Sequence, residues 1–287
     1  MTIHNKSSRR AFFKSSAFGL LAVSFPGFAN DSIESASRKK KSNEDALFYR
    51  YPALDDESVA GVVGASHGRF DKVKELVEKR PELAKASWDW GFGDFESAIG
   101  AAAHMGQKEI IRYLIQKGAR PDIFTYATLG EIDAVKAMIA ATPGIERIHG
   151  PHGITLMEHA RSGLWDRNIS AKDKSIANEM IAYLKTVEGS HQPALDLGLT
   201  LEEQKVYFGE YRWGPADDEV FYADLNMRKL LQFGRKGTFG RSLNRVGDHM
   251  FTPDGAPSVK IKFKVEGDKA IAVTIHEPNP ILTATRI

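Results

Sequence analysis

The chain has 287 residues, 42% hydrophobic and 26% charged, the balance of an ordinary folded protein rather than a disordered or multi-span membrane chain. A net charge of +2 is too small to imply a nucleic-acid partner. The absence of cysteine excludes disulfides, zinc–thiolate sites, iron–sulfur clusters and cysteine nucleophiles.

The first fourteen residues carry Lys6, Arg9, Arg10 and Lys14 and no acid. An apolar run from Ala17 to Phe28 follows, shorter than the roughly 20 residues that span a bilayer. Gly27-Phe28-Ala29 then offers small residues where a signal peptidase reads. The segment Ser8-Arg9-Arg10-Ala11-Phe12-Phe13-Lys14 resembles a twin-arginine export motif. The resemblance implies a signal peptide over 1–29, with Arg9, Arg10, Phe12, Phe13 and Lys14 read by the translocase. It also implies a periplasmic or secreted mature chain without an integral membrane segment. Loss of the four positive charges in 1–29 takes the net charge from +2 to −2. That route carries proteins folded before export, often with a cofactor inside. Residues 30–50 are polar and read as a linker. Ser37 and Lys40 match the Ser-x-x-Lys of penicillin-recognising enzymes, but in a charged tract that forms no apolar pocket.

From 51 to 190 the pattern is helical. Four segments share Ala-x-x-Gly: Ala65–Gly68, Ala103–Gly106, Ala127–Gly130 and Ala160–Gly163. After the first three glycines an apolar stripe recurs at helical spacing: Val73, Leu76 and Val77; Ile111, Leu114 and Ile115; Val135, Met138 and Ile139. The fourth unit carries an insertion from Leu164 to Lys172 and resumes at Ala177, Met180 and Ile181. Each unit predicts two helices joined by a tight turn, with Ala allowing close approach and Gly the left-handed turn. The second unit, Ser97-Ala98-Ile99-Gly100-Ala101-Ala102-Ala103-His104-Met105-Gly106 with Glu109–Ile115, resembles an ankyrin repeat. The resemblance implies about four divergent ankyrin-like repeats stacked as an α-solenoid, presenting a concave face.

Between the first two units lies Ser87-Trp88-Asp89-Trp90-Gly91-Phe92-Gly93-Asp94-Phe95. Two Trp and two Phe beside two Gly suit either a projecting aromatic contact surface or a cap over the first unit. Trp88, Trp90 and Phe92 are the candidate partner-binding residues.

Over 195–287 the period changes to two. Val259–Val265 alternates perfectly, Glu266-Gly267-Asp268-Lys269 forms a turn, and Ile271, Val273 and Ile275 alternate again. Val220–Leu225, Leu230–Phe233 and His249–Thr252 are further strands. Six or more short antiparallel strands predict a curved sheet, sandwich or small barrel. Tyr207–Tyr211, His249-Met250-Phe251, Val259–Phe263, Val273–His276 and Ala284–Ile287 follow an order resembling the small β domain appended to bacterial exported β-lactamase-class serine hydrolases. That resemblance implies an accessory or ligand-binding role and no catalytic residues.

The chemistry is sparse. His149, His152 and His159, with Glu158, form the one sequence cluster of histidines, and read as loop and helix-end residues rather than metal ligands. Gly234–Gly240 looks like a phosphate cradle but lacks the strand-to-helix context, and reads as an inter-strand loop. Asp217-Asp218-Glu219 reads as a solvated hairpin end. No catalytic residue, metal ligand or cofactor is assigned. The expected fold class is multi-domain α plus β, an ankyrin-like solenoid followed by a β sandwich or barrel. The expected function is non-catalytic binding of a periplasmic protein partner. The alternative is a small-molecule-binding or regulatory subunit of an exported enzyme, acting through the β domain.

Overall fold

The computed structural model describes residues 52–287. The export motif and the linker therefore lie outside the described residues. Helix α1 (Asp56–Ala65) starts at Asp55, whose side chain accepts from Ser58 N, and pairs with α2 (Phe70–Lys79). A two-stranded antiparallel ribbon follows, β1 (Ser87–Asp89) and β2 (Phe95–Ser97). Ser97 then caps α3 (Ala98–His104) by accepting from Gly100 N, and α3 pairs with α4 (Lys108–Gln116). Two more pairs complete the helical half: α5 (Ile123–Leu129) with α6 (Ile132–Ala141), and α7 (Leu156–Ser162) with α8 (Ala171–Lys185). Asp122, Thr155 and Ser170 cap α5, α7 and α8. Of the expected stripes, Val73, Val77, Ile111, Leu114, Val135, Ala177 and Met180 are buried.

The expected fold class needs correction. The described residues form nine α-helices, a small two-stranded sheet and a closed eight-stranded antiparallel barrel, in place of a four-repeat ankyrin-like solenoid followed by a β sandwich or barrel. The helices divide between two cores. One gathers Val62, Val63, Val73, Leu83, Ile99, Ile110 and Leu114; the other gathers Ile123, Leu156, Met157, Met180 and Leu184. A polar seam separates them. Thr128 Oγ1 donates to Ala103 O or His159 O at 3.0 Å, and Ser162 Oγ donates to Ala103 O at 2.8 Å, all fully buried. The repeat spacing explains the break: only 24 residues separate Gly106 from Gly130, too few for a complete unit with its connecting finger.

The one-turn helix α9 (Leu201–Gln204) leads into the barrel with a capping box between Thr200 and Glu203. The barrel comprises β3 (Gly209–Arg212), β4 (Val220–Leu225), β5 (Leu231–Arg235), β6 (Arg241–Gly247), β7 (Met250–Pro253), β8 (Lys260–Glu266), β9 (Lys269–His276) and β10 (Pro280–Arg286). Neighbours in sequence pair antiparallel, and β10 closes the ring on β3 through Thr285 opposite Arg212 and Arg286 opposite Tyr211. Alternation sends Ile261 and Phe263 inward and Lys262 and Lys264 outward. Tyr211, Phe233, Phe251 and Phe263 fill the interior, as side chains do in small barrels. The reading of the barrel as a small-molecule container finds its interior occupied by aromatic rings. Among the described residues no helix is long and apolar enough to cross a membrane.

The barrel has its own aromatic core and no unpaired strand edge. Residues 195–287 produced alone should therefore fold and give a β-type far-UV circular dichroism spectrum with a cooperative melt. A spectrum of unfolded chain would show that the helical half is needed to form the barrel.

Candidate metal centre

The loop, expected either to project or to cap the first unit, is closed on itself. Asp89 Oδ1 accepts from Gly91 N at 2.8 Å and Gly93 N at 3.1 Å, drawing the tip of the ribbon inward. Trp88 and Trp90 are half-buried against the first helical core. Phe92, at φ 60°, lies against the barrel core and stacks on Phe233 at 6.3 Å. These three aromatics make internal contacts, and Phe95 is the exposed one, at 67%.

What the ribbon carries inward is acid. Glu96 is the residue before the Ser97 cap, so the start of α3 fixes its backbone, and its carboxylate is fully buried. Its Oε2 accepts from Trp90 Nε1 at 2.7 Å. Three imidazoles surround the same carboxylate. His104 Nε2 lies 2.9 Å from Oε1, His152 Nε2 3.2 Å from Oε1, and His67 Nε2 3.4 Å from Oε2. His104 ends α3, yet reaches the helix start because helical side chains lean toward the N-terminus. The residues one turn below it, Gly100 and Ala101, are too small to block the ring. His67 stands in the turn after α1, and His152 in the short 3-10 turn Pro151–Gly153, at φ 61°.

One donor atom from each of His67, Glu96, His104 and His152 lies within 4.8 Å of the others. A tetrahedral ion with bonds of about 2.0–2.2 Å holds its ligand atoms about 3.3–3.6 Å apart. His104 and His152 approach that edge from Oε1, while His67 faces Oε2; the widest spacing in the cluster, up to 4.8 Å, must close for an ion to be held by all four. Glu96 Oε1 and His104 Nε2 are both buried and neither has a hydrogen-bond partner, despite their proximity. His67 Nδ1 lies 3.2 Å from Val63 O and 3.3 Å from Gly64 O, so it must carry the proton, which turns the Nε2 lone pair toward the carboxylate. His152 Nδ1 lies 2.7 Å from Asp94 Oδ2, and an ion bound at Nε2 would take the place of the proton that faces Glu96 there. Metal-ligating histidines hold their second nitrogen on just such carbonyl and carboxylate acceptors.

The charges fit together. Burial opposes ionisation of Glu96, but the His104 and His152 imidazoles hold its carboxyl far below the usual range. Burial also opposes a charge on His152, but Asp94 and Glu96 raise it to about 9. Burial dominates at His67 and lowers it. Asp94, 2% exposed, is lowered against its burial by His152 and by Arg241, whose NH2 group contacts Oδ2. The cluster opens toward solvent at His67 and His152, 30% and 21% exposed.

Of the histidine cluster visible in sequence, only His152 belongs here. His149 Nε2 meets Gln192 O at 2.8 Å, Glu158 pairs with Arg161, and His159 is buried beside Phe124. Thr238 O, in the Gly234–Gly240 loop, accepts from Tyr222 Oη, and Glu219 closes its own turn by accepting from Ala216 N. Sequence reasoning singles out none of His67, Glu96 and His104, the other three residues of the cluster. The available signal was that His67 and His104 sit inside the Ala-x-x-Gly turns of consecutive units. The chain matches no known protein-family model and no characterised protein.

Burial lowers His159 from 6.5 to about 4. The unfolded chain then takes up a proton near pH 6.5 that the native state refuses until about pH 4, so stability falls as pH falls through that window. Urea unfolding in the presence of chelator should show this loss between pH 6.5 and 4.5, and His159→Gln should flatten it. An equally steep loss in the variant would place its origin elsewhere.

Proposed function

We propose that this chain is an exported, non-catalytic metal-binding protein that holds one divalent first-row transition metal ion with His67, Glu96, His104 and His152. The observation that carries the reading is the convergence of three imidazole Nε2 atoms on one buried carboxylate, with Glu96 Oε1 and His104 Nε2 unsatisfied. Three nitrogens and one oxygen suit zinc, copper, nickel or iron better than calcium or magnesium, which take oxygen ligands. Four protein ligands complete a tetrahedron, the arrangement of structural rather than catalytic zinc. The Arg9-Arg10 motif supports export after folding, which agrees with a metal acquired inside the cell. The reading as a module that binds a protein partner rested on the concave face of an ankyrin-like stack, with Trp88, Trp90 and Phe92 as candidate contacts; those three pack internally.

The test is titration of the chelator-stripped protein with zinc, followed by calorimetry and thermal melts. One ion should bind per chain, and zinc at 100 times its dissociation constant should stabilise by about 2.7 kcal/mol. His104→Ala and the rim variant His67→Ala should each weaken binding by more than the about 10–100-fold that outer-shell changes cost. Equal zinc responses in wild type and in both variants, or none in any, would overturn the reading.

A further inference from the structure

The ligands all come from the helical half, but the shell around them does not. Arg241, the first residue of β6, sends its guanidinium out of the barrel to Asp94, with its side chain only 13% exposed. Asp94 is held from several sides. Its Oδ1 accepts from His152 N at 2.9 Å, its Oδ2 accepts from His152 Nδ1, and Arg241 donates to that same Oδ2. The barrel presses Gly255 against it, in a left-handed conformation at φ 79°, where any side chain would overlap the carboxylate. Asp94 in turn holds His152, whose backbone occupies a left-handed conformation that a non-glycine residue adopts only when its surroundings fix it.

We infer that the barrel tunes the metal centre through Arg241, a positioning residue that contacts both Asp94 and the His152 ring and so fixes the direction in which that ring faces the ion. This rests on the metal-binding reading above. Without Arg241, Asp94 is a buried carboxylate with one cationic partner removed and rotates to find another. His152 then loses the acceptor that sets its tautomer and direction. Linkage makes the effect reciprocal: an ion that orders His152 and Asp94 also tightens the barrel's hold on the ribbon, by the same factor. Arg241 also reaches the ring itself, its NH2 group lying 2.5 Å from His152 Nδ1.

The experiment uses the whole protein with cobalt(II) and zinc as probes. Wild type, Arg241→Met, Arg241→Lys and a barrel-surface control, Arg235→Met, are compared; Arg235 pairs with Asp218 away from the cluster. Arg241→Met should weaken zinc binding about 10–100-fold and alter the visible absorption of bound cobalt, because the His152 contribution to the ligand field changes. Arg241→Lys should restore part of both, and Arg235→Met should leave both unchanged. Zinc should slow hydrogen exchange in β6 of wild type and not of Arg241→Met. Wild-type affinity and an unchanged cobalt spectrum in folded Arg241→Met would overturn the inference. If Arg241→Met does not fold, Asp94→Asn serves in its place, with the same spectral change expected and the same null result decisive. Failure of wild type itself to bind either ion would instead overturn the metal-binding reading on which the inference stands.

Discussion

The Glu96 carboxylate is the constraint around which the rest of this structure is arranged. A buried carboxylate with no compensation costs on the order of several kcal/mol. Here it is fully buried, at the point where a strand becomes a helix, with Trp90 donating to Oε2 and the His104 and His152 rings facing Oε1. Everything else that faces it is imidazole. A carboxylate ringed by three such groups, with the ring proton turned outward at His67, needs a positive charge between them. A protonated His152 supplies part of that charge, and a bound metal ion would supply the rest.

The ribbon β1–β2 explains how one short segment serves both halves. Its tryptophans complete the first helical core, its tip places Phe92 against the barrel core, and its acids Asp94 and Glu96 sit between. Asp94 and Glu96, two residues apart on an extended chain, point to the same side, as the period of a strand requires. One meets the barrel's arginine and the other the helical half's histidines, with His152 bonded to the first and close to the second. The polar seam at Thr128 and Ser162 keeps the second helical core separate from this assembly. His159 shows the contrast: it is buried like His104, but its Nδ1 proton goes to Thr155 O and no carboxylate stands opposite its Nε2.

Much of the secondary structure was legible because burial writes a period into the chain. The stripes at Val73, Val77, Ile111 and Leu114 mark helices, and Ile261 and Phe263 mark an inward strand face. Closure of the barrel was harder to read, because β6 and β10 bury little besides Leu243 and Ala284 and so alternate weakly. The solenoid expectation failed where regular turns were taken to imply one continuous core, while the hydroxyls of Thr128 and Ser162 interrupt it. The centre was the least legible part. The four residues of the cluster are separated by 29, 8 and 48 positions along the chain, and no spacing rule joins them. The aromatic ribbon drew attention to Trp88, Trp90 and Phe92, while the chemistry lay in Asp94 and Glu96 beside them.

X-ray absorption at the zinc edge of the zinc-loaded protein tests the central claim most directly. The account predicts a single first shell of four nitrogen or oxygen atoms at about 2.0–2.2 Å, with the outer-shell scattering of three imidazoles. It also predicts one imidazole fewer in His104→Ala. A six-oxygen shell, or fewer than two imidazoles in the wild-type spectrum, would contradict it.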